Sequence, residues 1–114
     1  MSSDEQLLKR LYDRFNARDM EALLAMMQPD VVWANGMEGG YVHGRDGVRS
    51  YWIRQWALVD PHVEPISFSA IEDGEIEVEV HQVVRDRKGH VIADRKIGHI
   101  FHIEDGLIHR FDIR

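Results

Sequence analysis

Ile76-Glu77-Val78-Glu79-Val80-His81-Gln82-Val83-Val84 and, beyond Lys88-Gly89, Val91-Ile92-Ala93-Asp94-Arg95-Lys96-Ile97-Gly98-His99-Ile100-Phe101 largely alternate between two kinds of position. A strand with one buried face requires that pattern, and Lys88-Gly89 between two such runs reads as a two-residue hairpin loop. The loop sets Arg87 opposite His90. Counting outward pairs Val84 with Ala93, Gln82 with Arg95, Val80 with Ile97, Val78 with His99 and Ile76 with Phe101. In that register the large apolar side chains of both strands share one face. The other face carries Glu77, Glu79, His81, Arg85, Lys96 and His102 and is expected to be solvated. His99 breaks the pattern, because it falls among Val78, Val80, Ile97 and Phe101 on the apolar face.

The same period extends over residues 62–72, 75–86, 90–103 and 107–113, separated by Glu72-Asp73-Gly74, Lys88-Gly89 and Asp105-Gly106. Before Asp60-Pro61 the spacing is helical. Ser3 and Gln6 resemble a capping box, after which Leu8, Leu11, Tyr12 and Phe15 fall on one face. Asp19 is placed to cap a short second helix carrying Met20, Leu23, Leu24 and Met27, with Pro29 ending it. Val31-Val32-Trp33 reads as a strand and Met37-Glu38-Gly39-Gly40 as a loop. Gly44-Arg45-Asp46-Gly47 leads into a third helix with Val48, Tyr51, Trp52 and Trp56 near one face. Three helices followed by antiparallel strands predict an α+β domain, the helices covering one sheet face.

The chain has 114 residues, room for one domain spanning residues 1–114. Its formal net charge is -6, and the basic residues are scattered, which argues against a nucleic-acid surface. It has no cysteine, which excludes disulfides and thiolate chemistry. Met1-Ser2-Ser3-Asp4-Glu5 is acidic and polar, unlike a signal peptide, and no apolar run reaches the length of a membrane span. A soluble cytoplasmic protein is expected. No phosphate loop, nucleophile elbow or dinucleotide fingerprint occurs, so no cofactor is expected. Seven histidines raise the question of a metal. His99 and His102 face opposite ways, and His102 and His109 have no evident third ligand, so none is expected.

Several stretches resemble the SnoaL-like, ketosteroid-isomerase-like branch of the nuclear transport factor 2-like superfamily. They are Phe15-Asn16-Ala17-Arg18-Asp19, Met26-Met27-Gln28-Pro29-Asp30-Val31-Val32-Trp33, His43-Gly44-Arg45-Asp46-Gly47-Val48-Arg49 and Asp105-Gly106-Leu107-Ile108. The resemblance covers nearly the whole chain. It implies a cone-shaped fold in which three N-terminal helices pack on a curved, mostly antiparallel sheet around a pocket. It also implies a homodimer and a small apolar ligand. The isomerase machinery does not carry over. The base position corresponds to Asn35, the oxyanion-hole tyrosine to Leu11 (Tyr12 is adjacent), and the neutral carboxylic acid on the penultimate strand to His99. Limonene-epoxide-hydrolase-like members hold a water with a hydroxyl aromatic, an Asn and a late Asp. Here Trp33-Ala34-Asn35 and Asp112 match in part, and Ile97 and His99 stand where those enzymes have Arg and Asp.

The candidate catalytic residues are therefore His99, Asn35 and Asp112. His99 in an apolar wall is either a neutral acid/base or a core histidine bonded to Tyr12 or Tyr51. Asn35 orients a ligand carbonyl or water, or bonds the backbone of the Met37–Gly40 loop. Glu38, in the same loop, is a candidate replacement base or a solvated side chain. Asp112 and Arg110 turn inward if Asp105-Gly106 is a two-residue loop that pairs Ile103 with Ile108. A glycine bulge turns His109, Phe111 and Ile113 inward instead. Tyr12, Phe15, Trp33, Tyr51, Trp52, Trp56, Val78, Val80 and Phe101 complete the expected ligand-binding wall. Three functions fit: a cofactor-independent isomerase, cyclase or hydratase acting on an apolar carbonyl compound; a non-catalytic binder of an apolar molecule; and an assembly module whose sheet pairs with itself or a partner.

Overall fold

In the computed structural model, which describes residues 3–114, helix α1 spans Ser3–Asn16, α2 Met20–Ala25 and α3 Gly44–Leu58. Strands β1 (Met27–Ala34), β2 (Tyr41–His43), β3 (Val59–Glu72), β4 (Glu75–Asp86), β5 (Val91–Glu104) and β6 (Leu107–Ile113) form one sheet in the order β2-β1-β6-β5-β4-β3. Every neighbouring pair is antiparallel except β1 and β6. The sheet is open and curved, with the three helices against its concave face. Met1 and Ser2 of the acidic N-terminal stretch lie outside the described residues. No helix among the described residues is long and apolar enough to cross a membrane.

The α1 pattern buries Leu7, Leu8, Leu11 and Tyr12. Asp19 caps α2 as expected, its Oδ1 accepting from the Ala22 N–H at 3.3 Å. That helix ends earlier than Pro29. Met26 is its C-cap, and Met27-Gln28-Pro29-Asp30 already belongs to β1. Pro29 is tolerated there because the pairing of β1 with β6 is irregular between Met27 and Val32, so no ladder bond is demanded of it. Strand β2 was not anticipated: three residues give no period to read.

The β4–β5 register is the one the alternation dictates, with Val84↔Ala93, Gln82↔Arg95, Val80↔Ile97, Val78↔His99 and Ile76↔Phe101. At the tip the expectation fails. Arg85 pairs with Val91 across a bulge, and the Asp86 N–H donates to the His90 carbonyl at 2.8 Å, so Arg87 does not oppose His90. The Asp86 carboxylate sets this wider loop by accepting the Lys88 and His90 N–H groups.

The last hairpin combines the two alternatives. Asp105-Gly106 is a two-residue loop with Ile103 opposite Ile108. A bulge follows, so His102 pairs with Arg110 and Phe101 with Phe111. His109 is the extra residue. Ile108 and Phe111 therefore both point into the core, at 0% and 4% exposure, and Arg110 and Asp112 point away from it.

Candidate functional site

Between the helices and the concave sheet lies a cavity of about 740 Å³. Leu11, Tyr12 and Phe15 reach it from α1, Tyr51, Trp52 and Gln55 from α3, and His99, Phe101 and Phe111 from the sheet. The aromatic rings brace one another. Trp33 stacks on Phe111 with centroids 4.2 Å apart and meets Trp52 edge to face at 5.2 Å.

His99 is the buried polar side chain of this core, with 7% of its surface exposed. Its Nδ1 lies 2.8 Å from the Tyr12 hydroxyl. Burial pushes the imidazole down to about 4 and raises the Tyr12 phenol far above its ordinary value, so both are neutral near pH 7. The phenolic proton has His99 as its acceptor among the described residues. Donation from Tyr12 to Nδ1 leaves the imidazole proton on Nε2, which has no protein partner among them. In that tautomer His99 offers an N–H donor at Nε2, with Tyr12 fixing the ring. In the other, Nδ1–H donates to Tyr12 and Nε2 is a bare acceptor.

The other expected residues divide. Tyr12, Phe15, Trp33, Tyr51, Trp52 and Phe101 line the cavity. Val78 and Val80 have no exposure and are plain core. Trp56 stacks on Trp52 and sits under the Arg18 guanidinium, behind the wall. Asn35 lies at the rim, with its side chain engaged by the loop. Its Oδ1 accepts from the Met37 and Glu38 N–H groups and its Nδ2 donates to Glu38 Oε1 at 3.1 Å. Glu38 is exposed outside the cavity, and its hydrogen bonds to Asn35 and Arg54 hold its carboxyl below the ordinary range. Asp112, an expected water-holding group, does not reach the cavity. It lies on the outer face, where Arg110 and then Tyr41 hold its carboxyl low by hydrogen bonding. The bulge at His109 is the reason.

Gln55 and Arg95 are wall residues the sequence reading did not single out. Gln55 donates to the Tyr51 hydroxyl at 3.3 Å, and its Oε1 is buried without a partner among the described residues. Arg95 was visible in the hairpin register, which sets it on the inward face opposite Gln82. Beside His102 and His109, for which the sequence showed no evident third partner, Glu104 comes close to both.

The sequence profile of the SnoaL-like domain matches residues 8–111. No sequence among the curated proteins matches the chain. Among solved structures, a nuclear transport factor 2-like protein of unknown function from Burkholderia pseudomallei is 27% identical, with a TM-score of 0.88 over 100% of this chain and 91% of that one. TerC, co-crystallised with polyporic acid, is 23% identical with a TM-score of 0.88, over 99% of this chain and 91% of that one. A Mycobacterium tuberculosis protein in complex with estradiol-17β-hemisuccinate is 17% identical with a TM-score of 0.85, over 99% and 93%.

Proposed function

This chain belongs to the SnoaL-like domain family of the nuclear transport factor 2-like superfamily, and from that premise we propose that it binds a flat, apolar, carbonyl-bearing small molecule without a cofactor. The observation that carries the reading is the Tyr12–His99 pair on the floor of an aromatic cavity. A neutral imidazole N–H there hydrogen-bonds a carbonyl oxygen, and the Gln55 Oε1 supplies an acceptor in the same wall. Polyporic acid and the estradiol hemisuccinate, bound by two proteins of the same fold, are molecules of this class.

Thermal-shift and fluorescence titrations with steroid, terpenoid and aromatic ketones test it, each against its hydrocarbon counterpart. Wild type is expected to bind the ketone about fivefold more tightly, the worth of one net hydrogen bond. His99→Ala loses that preference and keeps the hydrocarbon affinity. Ketones that bind no better than hydrocarbons, or equally well to His99→Ala, remove the reading.

A second reading, proton-transfer catalysis of the isomerase, cyclase or hydratase kind, has one observation in its favour. An imidazole near 4 is about as basic as a carboxylate, and carboxylate bases of that strength serve in enolisation. No Asp or Glu lines the cavity, so His99 is the base this reading requires. It serves in the tautomer that donates from Nδ1 to Tyr12 and leaves Nε2 free to take a proton. Deuterium exchange at the carbon next to a bound ketone in D₂O supports it when the exchange disappears in His99→Ala. Exchange at the uncatalysed rate leaves binding alone. Homodimerisation through the outer sheet surface is part of the proposal. Sedimentation at twice the chain mass supports it, and sedimentation at the monomer mass removes it.

A further inference from the structure

The convex face of the sheet, turned away from the cavity, holds a second group of chemically capable side chains. His102 and Glu104 come from β5 and His109 from β6, and one donor atom of each lies within 4.8 Å of the other two. Strand pairing explains the meeting. His102 and Glu104 are two apart on one strand and so share a face, and His109 is the bulge residue beside them. A regular ladder continued from the Ile103–Ile108 pair would also set His109 on this face, opposite His102. The bulge moves Arg110 into that pairing and leaves His109 beside it.

Glu104 reaches both imidazoles. Its Oε1 is 3.3 Å from His102 Nε2, and its Oε2 is 3.8 Å from His109 Nδ1. The far nitrogen of His109, Nε2, is 3.9 Å from the Asp30 carboxylate on β1. That distance is too long for a hydrogen bond, and a small rotation that closes it would give the carboxylate-backed imidazole by which metal ligands are held in orientation. The neighbouring cation, Arg110, is drawn off by Asp112 at 2.8 Å. In the single chain the His102, Glu104 and His109 side chains are 38%, 53% and 36% exposed, so an ion enters without opening the core. In a homodimer formed through this face the site would lie at or beside the interface.

We propose that His102 Nε2, His109 Nδ1 and a Glu104 oxygen bind one divalent transition-metal ion of the zinc type, with Asp30 orienting His109. Two imidazoles and a carboxylate are a donor set that zinc accepts, with water completing the shell. Ligand bonds of about 2.1 Å draw the three donors closer together than they stand. Rotation of half-exposed side chains supplies that movement. A plain cluster of His–Glu ion pairs is the competing account, and it predicts no saturable metal binding.

Calorimetric titration of Zn²⁺ into metal-stripped protein, with the Co²⁺ visible spectrum as a second readout, separates the two. One ion per chain is expected. His109→Ala and Glu104→Gln each weaken binding at least about tenfold, and Asp30→Asn weakens it about tenfold, as loss of an orienting carboxylate does. His81→Ala leaves it unchanged, because His81 pairs with Asp94 alone, at 2.7 Å. Circular dichroism shows which variants are folded, and Glu104→Gln serves if His109→Ala is not. No saturable binding to wild type overturns the proposal. Equal affinity in wild type and the folded ligand variants overturns it, as does a loss caused by His81→Ala.

Discussion

His99 joins a helix to the sheet through one ring nitrogen and faces the cavity with the other, so its protonation bears on stability as well as on binding. Unfolded, the imidazole titrates near its ordinary value of about 6.5. Folded, burial holds it at about 4. Above the higher value both states are neutral and the histidine contributes no pH dependence. As pH falls from about 6.5 to about 4, the unfolded chain takes up a proton that the folded chain refuses, and stability is lost. The loss over that window is about 3 kcal/mol. Urea unfolding of wild type and His99→Gln at pH 7 and pH 4.5 isolates it, with the variant expected to show the smaller decline. Equal declines assign the acid sensitivity to other groups. Tyr12→Phe, which strips Nδ1 of its partner, is expected to lower stability by about 1 kcal/mol and to weaken ketone binding while sparing hydrocarbons. His99 was legible in the sequence because it interrupts an apolar face at a position the period fixes. The engagement of Asn35 with the Met37–Gly40 loop was one of two readings the sequence offered. Periodicity could not choose between them, because a short side chain bonding the Met37 and Glu38 N–H groups leaves no periodic trace.

Among the elements, the hairpins show where sequence reading holds and where it stops. Alternation fixed the body of the β4–β5 pairing, since slipping by one residue sends every apolar side chain to solvent. Both bulges escaped it, because a bulge keeps the inward pattern on each side while inserting one residue between. The one at His109 decides that Asp112 leaves the cavity and that Phe111 turns into it. The β3–β4 turn carries a sharper constraint. Gly74 has φ +74°, and a Cβ there would stand 2.6 Å from the Ile103 carbonyl oxygen, whose own N–H donates to the Gly74 carbonyl. Gly74→Ala therefore combines left-handed strain with a backbone clash. It is expected to cost about 2 kcal/mol or more, lowering the melting temperature by roughly 8 °C. Gly89→Ala, with φ +91° and open space around its Cβ position, carries the strain without the clash. Calorimetry should show the smaller loss there. The reverse order would mean that the β3–β4 turn relaxes away from β5.

Across the whole molecule, charge is distributed against the overall balance. The chain carries a formal net charge of -6, yet the charged side chains in the cavity wall are Arg95 and Arg114, with no Asp or Glu among the lining residues. Arg114 is engaged by Glu77 at 2.6 Å, whereas Arg95 is exposed and has no ion-pair partner among the described residues. The cavity thus runs from an apolar floor holding the His99 imidazole to a rim with a cation. A ligand matching both ends has an apolar carbonyl body and an acidic group at the other end. Composition and net charge concealed this, since they average over a surface whose acidic residues lie elsewhere, and only the register of Arg95 opposite Gln82 pointed to it. Of two ligands alike except for a terminal carboxylate, the acid is expected to bind more tightly to wild type at low salt, and the advantage shrinks as salt screens the pair. Arg95→Gln removes most of that advantage and leaves the neutral ligand unaffected. Because the pair would be partly exposed, the advantage is a few-fold, worth about 1 kcal/mol or less. Titrations of both ligands at two ionic strengths measure it. An acid that binds no better than its neutral counterpart at low salt would put the ligand's outer end away from Arg95.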